Sequence, residues 1–117
     1  YAEKFIESEA YYNKVIELSH KDVDAFYNRA IVKSSRGNKL GAIADFDKAI
    51  EINPNFINAY SNRGADKDDI GDYKGAIEDY KKNIELDPKS TIAYLNMGNS
   101  YFHLGNSKKA STHLNEH

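Results

Sequence analysis

Four histidines, His20, His103, His113 and His117, are the side chains best suited to hold a metal or carry a proton. His113 and His117 stand at i and i+4, the spacing at which two imidazoles on one helix can share a zinc ion. No glutamate follows His113 as the H-E-x-x-H arrangement requires, and Glu116 is one residue from the chain end. A solvated helix end is the better reading. Asp66, Asp68, Asp69, Glu78 and Asp79 crowd a short stretch, but the glycine and terminal glutamate spacing of a calcium loop is absent. They read as a solvated acidic face. Cysteine is absent, which removes thiolate metal sites, disulfides and thiol nucleophiles. Gly37, Gly71 and Gly105 lie far apart and form no phosphate loop. The expectation is therefore no enzyme, no cofactor and no metal.

The 117 residues suffice for one domain of ordinary size. Lysine and arginine number 16 and aspartate and glutamate 18, a net charge of -2 that gives no support for nucleic-acid binding. At 40% hydrophobic residues the chain is too apolar for disorder. No apolar run approaches the roughly 18 residues of a membrane span, so no membrane partner is expected. The chain opens on Tyr1 rather than methionine, so a start further upstream is expected and a missing leader carries no weight. The compartment stays open, with the cytoplasm favoured.

The elements that would position any site follow from an internal repeat. Gly37-Asn38, Gly71-Asp72 and Gly105-Asn106 recur at a step of 34, as do Ala42, Ala76 and Ala110. Asn53-Pro54 and Asp87-Pro88 keep the step, with Phe26, Tyr60 and Tyr94, with Ala30, Gly64 and Gly98, and with Tyr12, Phe46, Tyr80 and Leu114. Each unit reads as two helices. Glycine ends the first in a left-handed turn, and the Asn or Asp after it caps the second. The residue before proline is pushed out of the α region and ends the second. This predicts first helices near 23–36, 57–70 and 91–104, and second helices near 5–18, 39–52, 73–86 and 107–116. The small residues at 30, 64 and 98 let paired helices approach closely. Phe46 and Tyr80 fill the space between units, and stacked neighbours supply the core.

The pattern resembles the tetratricopeptide repeat family, through Tyr60, Gly64, Ala76, Tyr80 and Pro88 in the middle unit. Phe26, Ala30, Ala42, Phe46 and Pro54 match in the first, and Tyr94, Gly98, Tyr101 and Ala110 in the third. One domain spans 1–117: the second helix of a truncated repeat over 1–22, repeats over 23–56 and 57–90, and a truncated repeat over 91–117. Lys33 and Lys67 depart from the family's tyrosine, with snorkelling as the expected accommodation. Asn83 replaces a small interhelical residue, and Lys39 and Ser107 replace an aromatic. The resemblance implies an all-α fold, a right-handed superhelix of about seven helices. It also implies that the first helices line a concave groove for a peptide or protein segment, without chemistry of its own.

Asn28, Asn62 and Asn96 occupy one place in three successive first helices. An Asn amide both donates and accepts, so the three can form a ladder along an extended peptide backbone. Helical spacing adds Asp24, Tyr27, Ile31 and Ser35 to this face, then Asn58, Ser61, Ala65 and Asp69, then Ile92, Leu95, Asn99, Phe102 and His103. The groove is expected to be acidic and polar in the middle, and apolar at its C-terminal end. There Ile92, Leu95 and Phe102 would hold an apolar anchor or contact a further helix. The family's carboxylate clamp needs basic groove residues, and Asp24, Asn58, Ile92, Tyr27 and Asn96 stand in their places, so chaperone C-terminal tails are not expected to bind. RNA-reading helical repeats use a basic groove and are disfavoured equally. A scaffold that self-associates is the alternative. Both ends are cut through a repeat, and Phe5, Ile6, Ala10, Tyr12, Val15 and Ile16 would expose an apolar face for a second copy.

Overall fold

The computed structural model describes residues 2–115, and the side chains of residues 3–107. Six helices follow one another: α1 Ala2–Leu18, α2 Val23–Ser35, α3 Lys39–Ile52, α4 Ile57–Asp69, α5 Tyr73–Leu86 and α6 Thr91–Asn115. Each packs chiefly on its neighbours in sequence, giving an all-helical solenoid with extents of 55 × 33 × 22 Å. The short turns force this. Gly37 and Gly71 take φ of +86° and +84°, which residues with a Cβ adopt at a cost. The amides of Asn38 and Asp72 then reach back to the carbonyls of Lys33 and Lys67, each at 2.8 Å, closing the first helix. The Asn38 and Asp72 side chains accept from the amides of Gly41 and Gly75, each at 3.0 Å, and open the second.

The core is built from the repeating small and aromatic positions. Phe26, Ala30, Ala42, Phe46, Ala49 and Ala59 form one buried cluster, with Ile16 of α1 and Phe56 packed against it. Ala76, Ile77, Tyr80 and Ala93 are buried further along. Phe46 joins two units, as expected. Tyr80 instead works inside its own hairpin, because a Cβ at position 64 would lie 2.9 Å from its ring. On α1, Ile6, Ala10 and Val15 are exposed as expected. Phe5, Tyr12 and Ile16 are half-buried, since α2 covers part of that helix.

The third unit departs from the expected hairpin. The helices anticipated over 91–104 and 107–116 are one continuous helix, α6, and Gly105 is helical rather than left-handed. The ion pairs that hold the other two hairpins shut have no counterpart in its sequence. Met97, Tyr101 and His113 replace the Arg, Lys and Asp that pair across the first two units, and Lys109 replaces the glycine beside the cap. Gly98 therefore meets nothing within 4 Å of a built Cβ. The Ala110, His113 and Leu114 side chains, and all of His117, lie outside the described residues.

Helix propensity alone gives Gly64→Ala a gain of about 1 kcal/mol. The approach of Tyr80 reverses the sign: we expect a loss of about 1–3 kcal/mol in urea unfolding. An unchanged or higher midpoint would show that the α4–α5 approach is looser than described.

Candidate binding groove

Helices α2, α4 and α6 occupy the same place in successive units, and three polar bonds hold them side by side. The Ser34 hydroxyl donates to Asp66 at 2.7 Å, and the Ser100 hydroxyl to Asp68 at 2.9 Å. The Asn62 amide donates to the Tyr27 hydroxyl at 2.8 Å. Asn28, Asn62 and Asn96 are each half-buried along this series. Asp24, Asn58, Ala65, Asp69 and Asn99 are exposed beside them, and so are Ser35 and His103. At the C-terminal end Ile92, Leu95 and Phe102 are 65%, 63% and 64% exposed, an apolar strip open to solvent. Tyr27 and Ile31 belong as much to the core. The Tyr27 ring stacks on Phe56 at 4.6 Å, and Ile31 packs on the buried cluster. Burial raises the Tyr27 phenol above its ordinary value, against the opposing bond from Asn62. The Asp69 carboxylate is met by Lys39 at 3.2 Å, so Asp24 is the more open of the two negative charges.

The carboxylates read as a solvated acidic face are mostly something else. Asp66 and Asp79 are buried, and Asp68 is half-buried, although Asp69 and Glu78 are exposed. Asp79 accepts both arms of the Arg63 fork at 2.6 and 3.0 Å, with Lys67 at 3.3 Å. Asp45 does the same with Arg29 at 2.7 and 2.8 Å and Lys33 at 3.1 Å. The third guanidinium nitrogen reaches back one unit: Arg63 to Asp47 at 2.8 Å, Arg29 to Asn13 at 2.9 Å. Each fork lies 5.6 Å from a ring, Phe26 or Tyr60. Both guanidinium pKa values are raised. For Arg29 the Asp45 bond is the main cause; for Arg63, burial is the largest influence and opposes the shift, but Asp79 and Asp47 outweigh it. Lys33 and Lys67 therefore do more than snorkel, since each ends on a buried carboxylate. The signal was present as Arg, Lys and Asp at i, i+4 and i+16, repeated at the step of 34. These cations are turned to the second helices, and among the described residues the groove face named above carries no lysine or arginine.

The geometry defines a class first: a solenoid of helical hairpins whose first helices line up along one face, polar on α2 and α4 and partly apolar on α6. The tetratricopeptide repeat pattern matches residues 23–56, and a TPR repeat pattern matches residues 69–105. The chain belongs to the tetratricopeptide repeat family. Among solved structures it is similar to the MamA protein at 25% identity and TM-score 0.84, over 95% of this chain and 61% of that one. It is similar to the first TPR of Spaghetti (RPAP3) bound to the HSP90 peptide SRMEEVD, at 24% identity and TM-score 0.84, over 89% and 82%. The Arabidopsis OM64 TPR domain aligns at 22% identity and TM-score 0.80, over 87% and 84%. No curated protein matches the sequence.

Removing Asp79 strands two cations, and Asp79→Ala should cost about 3 kcal/mol in chemical unfolding. A loss below about 1 kcal/mol, the scale of an exposed pair, would show that solvent reaches the site. Burial raises the Asp66 carboxyl above the ordinary carboxylate value, against Ser34 and Lys39. The folded chain thus holds this proton more tightly than the unfolded one, and stability is lost as pH rises through that range. The stability of Asp66→Asn relative to the natural chain should rise over the same range and then level off. A flat difference would remove the burial effect.

Proposed function

We propose that this chain is a protein-interaction module that holds an extended peptide segment along α2, α4 and α6. Tetratricopeptide repeats are typically non-catalytic interaction modules. The observation that carries the reading is the series Asn28, Asn62 and Asn96, one amide per unit on one part-exposed face. Each offers a donor and an acceptor to a peptide bond, and the repeat spaces them along a strand. Asn62 already donates to Tyr27, so a ligand takes its remaining capacity or replaces that bond. Selectivity comes from the flanks. The open carboxylate of Asp24 favours a neutral or basic segment, and the strip Ile92, Leu95 and Phe102 takes an apolar side chain at one end.

The solved Spaghetti domain is bound to an acidic HSP90 peptide. A face whose own residues include no lysine or arginine is a poor host for two glutamates and an aspartate, because desolvating them without a partner costs more than backbone contacts return. The absence of a basic stripe also disfavours RNA as a ligand.

A library of extended peptides should yield ligands with basic or neutral centres and one apolar end. Each Asn→Ala change at 28, 62 or 96 should weaken them about fivefold, the scale of one net hydrogen bond. Peptides bound equally by the triple variant, still folded by circular dichroism, would move the site off this face. Micromolar binding of SRMEEVD to the natural chain would overturn the assigned charge preference.

A further inference from the structure

One face of α6 lacks the helix that the repeat assigns to it. Phe26 and Tyr60 are each 7% exposed beneath α3 and α5, whereas Tyr94, in the same register, is 50% exposed. Gly98 and Tyr101 continue this open face, where Ala30 and Gly64 are buried in the other units. Beside it a cleft of about 320 Å³ lies between α5 and α6, lined by Ile77, Tyr101, Leu104 and the stems of Lys74 and Lys81. The segment that matches the covering helices is residues 107–115. By register it carries Ala110 and Leu114 where α3 has Ala42 and Phe46, and α5 has Ala76 and Tyr80. It runs straight on along α6 instead.

We propose that residues 107–115 of a second copy of this chain cover this face, in a reciprocal exchange that makes a two-fold dimer. An exchanged helix makes the same contacts as a folded-back one, so the hinge decides between them. Folding back needs Gly105 left-handed and Asn106 as cap, with Lys109 three residues on. Where the other units do this, Arg, Lys and Asp pair across the hairpin, and here Met97, Tyr101 and His113 stand in their places. The straight hinge keeps the helical hydrogen bonds through 105 and 106. Two copies satisfy both faces at once, with no new sequence required. The exchange leaves Asn28 and Asn62 untouched, so it stands apart from the groove reading.

The test uses two single-cysteine chains, since the natural chain has none. In the second unit a Cβ at position 64 would lie 3.3 Å from that of Asp79, close to disulfide range. The equivalent pair is 98 and 113, which lie about 22 Å apart along a straight helix. We expect a disulfide-linked pair when Gly98→Cys and His113→Cys chains are mixed and oxidised, and not from either alone. Light scattering of the natural chain should give twice the chain mass. Gly105→Ala, which disfavours the left-handed turn that folding back needs, should leave the dimer intact. A monomer carrying an internal bond in the doubly substituted chain would overturn the exchange in favour of folding back. A monomer with no bond of either kind would overturn it in favour of an uncovered face.

Discussion

The structure depends on one repeated cation. Arg63 grips both oxygens of Asp79 in its own hairpin and Asp47 in the hairpin before, and Arg29 does the same with Asp45 and Asn13. A planar fork with five donors can do this, and an ammonium cannot. One side chain thereby sets two registers, that of helix on helix within a unit and that of unit on unit. Apolar burial supplies most of the driving force, but alanines and aromatic rings tolerate sliding. A buried pair of fixed geometry does not, because any slip leaves a charge without its partner.

That arrangement has a consequence for the groove. Four cations that could have faced a ligand, Arg29, Lys33, Arg63 and Lys67, are committed to buried carboxylates. What remains on the first helices is amide, hydroxyl, carboxylate and a terminal apolar strip. The charge character of this face is thus partly set by what the interior requires. Tyr27 shows the same coupling, its ring in the core and its hydroxyl on the groove, bonded to Asn62.

Much of this was legible in the sequence. The step of 34 placed α2 to α5 within a residue or two, since Gly37, Gly71, Asn38 and Asp72 leave little choice of turn. The asparagine series was legible because identical residues at one step must share a face. Asp66 and Asp79 were misread, since a carboxylate run looks the same solvated or buried until its partners are known. Those partners lie 16 and 32 residues away, beyond the reach of helical periodicity. The α6 hairpin was misread for a different reason. Gly105-Asn106 permits the turn but does not compel it, and the buried ion pairs that close the other two hairpins have no counterpart here.

In a solenoid each unit leans only on its neighbours, so stability is a sum of units and junctions along a line. Here the junctions are unequal. The first two carry an arginine fork, and the third has Met97 and Lys81 at the positions where the series would continue. Such a line does not melt evenly. Unequal junctions give unequal local stabilities, so the chain has a direction that a repeated unit does not suggest. The junction without an arginine fork is the one that carries α6, so the exposed strip Ile92, Leu95 and Phe102 sits on the part of the solenoid whose register no buried ion pair fixes.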